Sequence, residues 1–161
     1  MALLNVSRID DSHYRYKMPG VLTKIEGSGN GTKTIIPNLD DVARSLGRDS
    51  VEICKFLGIE LGAQARYVGG DSRAVINGMH GTGAIQELVY KYFDMFVLCP
   101  ECGNPETSYS IKNSIRKTCA ACGRSKRVDM THKLCSHIKK KNDCGFEKKR
   151  KEKKSKFLVN S

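Results

Sequence analysis

The sequence predicts an α/β (α+β) domain of hairpins packed by helices, followed by a four-cysteine ribbon, with a flexible N-terminal arm and a basic C-terminal tail. Three observations predict it. Two pairs of β-leaning runs each bracket a glycine-rich turn, one long apolar stripe repeats with a helical period, and two Cys-x2-Cys pairs follow it directly.

Residues 1–19 show little periodicity and end at Pro19, so they read as an extended or irregular arm; their one dense cluster is Tyr14-Arg15-Tyr16-Lys17-Met18-Pro19. Residues 21–26 and 32–36 are β-leaning, and Gly27-Ser28-Gly29-Asn30-Gly31 between them supplies residues that tolerate positive φ, which predicts a hairpin. Asn38 or Asp40 caps a short helix that Gly47 ends, and Ser50 caps a second from Val51 to Leu61, ended by Gly62. A second hairpin follows, Ala65–Val68 and Arg73–Asn77 around Gly69-Gly70-Asp71-Ser72.

Ile85, Leu88, Val89, Tyr92, Phe93, Phe96 and Val97 then fall at i, i+3, i+4, i+7, i+8, i+11 and i+12. That is one face of an α-helix, able to cover a sheet made by both hairpins. The predicted divisions are an arm over 1–19, an α/β domain over 20–97, a ribbon over 98–138, and a disordered basic tail over 139–161.

Cys99 and Cys102 are separated from Cys119 and Cys122 by sixteen residues. Each Cys-x2-Cys turn aims two thiolates at one point, and a tetrahedral Zn²⁺ is held at about 2.3 Å from each sulfur. Tyr109–Ile111 and Arg116–Thr118 are the strands expected between the pairs. All four positions are filled by protein, so the zinc is expected to be structural. About 40 residues make too little apolar core alone, so the metal supplies the stability. Cys54, Cys135, Cys144, His132 and His137 are left over; Cys54 reads as a small core residue.

The net charge is +11, and residues 139–161 hold ten Lys or Arg against three Asp or Glu, so most of the excess sits there. Such a tail is drawn to phosphate-rich partners without sequence preference. The beginning of the chain lacks a basic leader followed by an apolar run, and no stretch of 18 apolar residues occurs, so no membrane partner is expected. The expected setting is the cytoplasm, and in a cytosolic context two Cys-x2-Cys pairs read as metal binding rather than a disulfide framework.

Gly27–Thr34 superficially resembles a phosphate loop. Thr32 stands where that loop needs glycine, and Ile35-Ile36-Pro37 continues as strand rather than helix, so autonomous nucleotide binding is not expected. No Ser/His/Asp set and no paired carboxylates stand out.

Several segments taken in order resemble the N-terminal domain of eukaryotic translation initiation factor 5. They are Tyr14–Pro19, Lys24–Gly31 with Lys33-Thr34, Glu60–Gln64, Asn77-Gly78, Phe96–Cys102, Asn104–Thr107, Cys119–Gly123, Asp129-Met130 and His132–Leu134. The resemblance covers residues 5–138; that family's chain continues into a helical C-terminal domain, whose functions are not carried over. The beta subunit of initiation factor 2 shares the α/β domain and ribbon without activating hydrolysis, and the arginine-bearing arm is the feature expected to separate the two.

The resemblance implies a factor that activates hydrolysis of GTP on the gamma subunit of initiation factor 2, on the small ribosomal subunit with initiator tRNA and alongside the beta subunit. It makes Arg15 an arginine finger, with Lys33 and Lys55 in support. It turns Lys24, Gly27, Gly29, Asn30, Gly31 and Arg73 toward tRNA or ribosome. Two alternatives stay open: a beta-subunit-like binding module without activating role, and a zinc-ribbon nucleic-acid protein outside initiation.

Overall fold

The computed structural model describes residues 3–6 and 10–141. Its centre is a four-stranded antiparallel sheet in which both predicted hairpins join. The strands are β3 (Lys24–Glu26), β4 (Lys33–Ile36), β5 (Ala65–Val68) and β6 (Arg73–Asn77), in the order β3-β4-β6-β5. The β4–β6 pairing sets Thr34 opposite Ile76 and Ile36 opposite Ala74. All four are fully buried, so this face of the sheet is the core face. The alternate residues lie on the outer face, where Lys24, Lys33, Arg66, Arg73 and Asn77 stand among Glu26, Ile35, Val68 and Val75.

Helices α1 (Leu39–Leu46), α2 (Ser50–Leu61) and α3 (Thr82–Tyr92) cover the core face. Helix α1 buries Leu39, Val42, Ala43 and Leu46, a 3.6-period stripe, and stops at Gly47 with φ 65°. Helix α2 starts one residue earlier than predicted. The Asp49 carboxylate accepts from the Val51 N–H and makes the cap, while the Ser50 hydroxyl donates to Asp40 instead. Gly58 lets α2 approach β5 closely, since a Cβ there would lie 2.7 Å from that of Ala65. Helix α3 runs on into a π turn, Phe93–Val97. Ile85, Val89, Tyr92, Phe93, Phe96 and Val97 of the predicted stripe are fully buried, and Leu88 is half-buried.

The segment read as a flexible arm is anchored at both ends. Strands β1 (Leu3–Asn5) and β2 (Lys17–Pro19) form an antiparallel pair against α1, burying Val6 and Met18 in the main core. Their pairing spans twelve or more residues, and three-residue strands leave no alternation to read.

The ribbon has three strands rather than two: β7 (Thr107–Ile111), β8 (Ile115–Cys119) and β9 (Ser125–Arg127). A further helix, α4, covers 134–141, so the last turn of a helix occupies 139–141 where the tail was expected to begin. The remainder of that expected tail, 142–161, lies outside the described residues. Ile115, Val128, Leu134, Cys135 and Ile138 belong to the same apolar cluster as the sheet and helices.

Candidate metal centre and arginine hairpin

Two tight turns carry the cysteines. Gly103, φ 72°, and Gly123, also φ 72°, close them through N–H bonds to the carbonyls of Cys99 and Cys119. The four sulfurs all lie within 4.8 Å of one another, and the Cys99–Cys122 and Cys102–Cys119 pairs stand 3.7 and 3.5 Å apart. A tetrahedral ion with 2.3 Å metal–sulfur bonds requires sulfur separations of about 3.8 Å, and a disulfide about 2.05 Å. The spacing fits an ion and excludes a disulfide.

The Cys102 N–H, aimed at the Cys99 sulfur, draws that thiol down to about 6. At Cys102 the Asn104 N–H favours the thiolate, but desolvation and three neighbouring sulfurs push it up to about 12. Sulfurs this close resist losing all their protons unless a cation sits among them, and a bound metal would supply that charge. The cluster can hold a metal ion, and its donor set is compatible with zinc.

None of the leftover residues among the described ones, His137 included, joins the cluster. Cys54 is buried in the core, and that burial pushes its thiol up to about 11. Cys135 is buried and donates to the Asp129 carbonyl. His132 stacks on Phe56 at 5.0 Å and reaches Glu60 at 2.8 Å. Cys144 lies outside the described residues.

Arg15 sits on an exposed bend immediately before β2. Its guanidinium lies 5.6 Å from the Tyr16 ring centroid and pairs with no carboxylate among the described residues. The bend is tightly based. The Val6 N–H bonds the Tyr16 carbonyl, the Lys17 ammonium bonds Asn5 at 2.7 Å, and the His13 N–H bonds the Asp11 carboxylate. The Tyr16 hydroxyl donates to Glu106 of the ribbon at 2.9 Å. Glu106 itself accepts, through its carbonyl, the N–H of Ala120 within the second cysteine turn. The base of Arg15 therefore rests on the metal module.

Lys33 and Lys55 stand elsewhere. Lys33 is exposed on the outer sheet face, beside a shallow depression of about 350 Å³ lined by Gln64, Arg66, Val75 and Asn77. Lys55 is exposed on α2, on the other side of the sheet. No contact among the described residues joins either to Arg15. At the loops, Gly27 has φ 82°, and a Cβ there would run into the Gly31 carbonyl, so only glycine fits. Gly29, Asn30 and Gly31 form the exposed tip. Lys24 pairs with Glu26 at 3.5 Å and Arg73 with Asp71 at 3.2 Å.

One polar group was invisible to sequence reasoning. Between helices and ribbon, the Arg48 guanidinium donates to the Thr107 carbonyl and hydroxyl, both at 2.9 Å, and to the Phe96 carbonyl at 3.2 Å. It also lies 4.4 Å from the Tyr109 ring centroid. Buried Glu52 accepts from Tyr92 at 2.7 Å and Tyr109 at 2.8 Å. The Lys117 ammonium, its pKa lowered by burial, donates to the carbonyls of Leu98 at 2.7 Å and Met95 at 3.1 Å. These residues join the ribbon to the α/β part.

A family model for a domain found in initiation factors 2B and 5 matches residues 6–125. The chain belongs to that family. It is 45% identical over 144 residues to the probable eukaryotic translation initiation factor 5 of Schizosaccharomyces pombe, covering 87% of this chain and 36% of that protein. It is 43% identical over 156 residues to eukaryotic translation initiation factor 5 of Mus musculus, covering 92% and 36%. Against the factor of Drosophila melanogaster the identity is 43% over 144 residues, covering 87% and 31%. The chain thus spans about a third of the length of the curated relatives it matches. The resemblance to the factor 5 N-terminal domain read from the sequence is borne out. No helix among the described residues is long and apolar enough to cross a membrane.

Proposed function

We propose that this domain activates GTP hydrolysis in translation initiation, lending Arg15 to the nucleotide site on the gamma subunit of initiation factor 2. The observation that carries the reading is the exposed guanidinium of Arg15, which pairs with no carboxylate among the described residues, on a bend anchored at both ends. A finger of this kind must stay charged, stand clear of its own domain and offer a planar fork to phosphate oxygens. It stabilises charge developing on the transferred phosphoryl group, and the partner supplies the rest of the site. The domain needs no catalytic centre of its own.

In this reading Cys99, Cys102, Cys119 and Cys122 hold one structural Zn²⁺ beneath the hairpin. Lys33 and Lys55 support activation from separate faces, acting on the partner rather than on Arg15. The loop tips with Lys24, Gly27, Gly29, Asn30, Gly31 and Arg73 face initiator tRNA and the small ribosomal subunit. The beta subunit of initiation factor 2 lies alongside, and the setting is the cytoplasm. The arginine-bearing hairpin favours an activator over a beta-subunit-like module.

Single-turnover hydrolysis on GTP-bound initiation factor 2 in ribosomal complexes tests this. Arg15→Met is expected to lower the stimulated rate by about 10³–10⁵ while binding survives, equivalent to roughly 4–7 kcal/mol. Undiminished stimulation rejects the assignment.

A further inference from the structure

The outer face of the ribbon sheet has no role in the function proposed above. Alternation along the three strands puts Thr107, Tyr109, Ile111, Ile115, Lys117, Cys119 and Lys126 on the inner side. The outer side carries Ser108, Ser110, Arg116, Thr118, Ser125 and Arg127. Four are hydroxyls and two are guanidiniums; none is acidic, apolar or aromatic.

The register sets Arg116 directly opposite Arg127. Like charges facing each other across a strand pair destabilise a sheet. No carboxylate among the described residues pairs with either arginine, and Arg116 has only a long 3.4 Å contact to the Ser125 hydroxyl. Two neighbouring cations differ in this: Arg124 and Lys126 face Glu101 at 3.4 and 3.8 Å. At the β7–β8 turn Lys139 bonds the Asn113 carbonyl at 3.0 Å, bringing a further ammonium beside exposed Lys112.

We infer that this face binds the sugar–phosphate backbone of double-stranded RNA. Two adjacent guanidiniums take phosphate oxygens. The row of hydroxyls beside them can both donate to and accept from ribose 2′-hydroxyls, the group that distinguishes RNA from DNA. Single-stranded RNA is read chiefly by stacking on aromatic rings, and this face has none. Insertion at a membrane interface needs apolar side chains, and this face has none. The inference extends the proposed function to a second surface and stands without the arginine finger.

The test is fluorescence anisotropy of the full chain with a labelled RNA duplex of about 16 base pairs, across a salt series. The double variant Arg116→Gln/Arg127→Gln is expected to bind more weakly and to lower the salt slope by about two, one for each lost phosphate contact. Arg44→Gln, an exposed arginine on α1 and not on this sheet, is expected to leave the slope unchanged. The same duplex built with DNA should bind more weakly than RNA. The double variant should melt no lower than the parent, because a like-charge pair has been relieved. In amide NMR spectra of the unmodified chain, duplex addition should shift Ser108, Ser110, Thr118 and Ser125. An unchanged slope, equal loss in Arg44→Gln, tighter binding to an acidic peptide than to RNA, a lowered melting point, or shifts confined to other residues would overturn the inference. None of these readouts involves GTP hydrolysis, so failure here and failure of the finger are separable.

Discussion

The α/β part and the ribbon solve the same problem with different materials. The α/β part buries whole rings: Phe56, Tyr92, Phe93 and Phe96 are fully excluded from water, with Phe56 meeting Tyr92 and Phe96 edge-on at 5.3 and 5.9 Å. The ribbon contributes Ile115 and Val128 to that core, with Leu134, Cys135 and Ile138 of α4, and otherwise relies on a four-cysteine cluster able to hold a metal ion and on Arg48, Glu52 and Lys117 at its seam. Apolar burial holds without regard to conditions such as metal supply, whereas thiolate ligation and buried polar contacts depend on metal, redox state and geometry. Two regions in one continuous core should therefore fail under different stresses.

The largest expected effect separates them directly. Removing metal with a chelator under reducing conditions should unfold the ribbon, since structural zinc contributes apparent binding energies of about 10–16 kcal/mol in small modules. Hydrogen exchange should rise across β7, β8 and β9 while β4 and β6 stay protected. A metal content near zero in folded, reduced protein would remove the basis of the contrast. Next, Phe56→Ala should cost about 3–5 kcal/mol in denaturant unfolding. A loss below about 1 kcal/mol would mean that His132 and its neighbours collapse into the cavity. Arg48→Met comes third, at about 1–3 kcal/mol, because the Thr107 and Phe96 carbonyls lose their donors. If exchange rises equally in ribbon and α/β part, the seam serves both; a rise confined to the ribbon shows that it serves the smaller module.

The smallest effect is in acid. The Ser50 hydroxyl, with the Tyr67 hydroxyl at 2.6 Å, holds the Asp40 carboxyl below the usual range. A carboxylate depressed in the folded state adds stability above its unfolded value, about 3.9, and loses it as pH falls through the lower folded value. Asp40→Asn should flatten the melting-temperature profile below about pH 4. Parallel profiles for the two proteins would exclude Asp40 as a contributor.

The contrast also explains what the sequence made legible. Helix ends at Gly47 and Gly62 are local events, fixed by backbone conformation within one turn, and both stand where the sequence puts them. So do the second hairpin, the buried stripe of α3 and the cysteine cluster, whose signals are periods and spacings. Strand β9 escaped notice because all three of its residues are exposed and show no alternation. Helix α4 carries Leu134, Cys135 and Ile138 at helical spacing, but its histidine, cysteine and lysines drew attention to ligands and tail. The seam had no sequence signature at all: Arg48 meets Thr107 across 59 positions, and nothing around Arg48 marks it as half-buried.

The anchoring of β1 and β2 sets a limit on any partner that uses Arg15. Swinging the hairpin outward would strip Val6 and Met18 of their cover, exposing side chains worth about 1.5–3 kcal/mol each. If Arg15 acts as proposed, large travel of its strand pair would forfeit that burial, so a catalytic neighbour would have to bring its nucleotide cleft to this edge. Selection of the correct assembly would then rest on how closely the partner approaches, rather than on the hairpin reaching out to it.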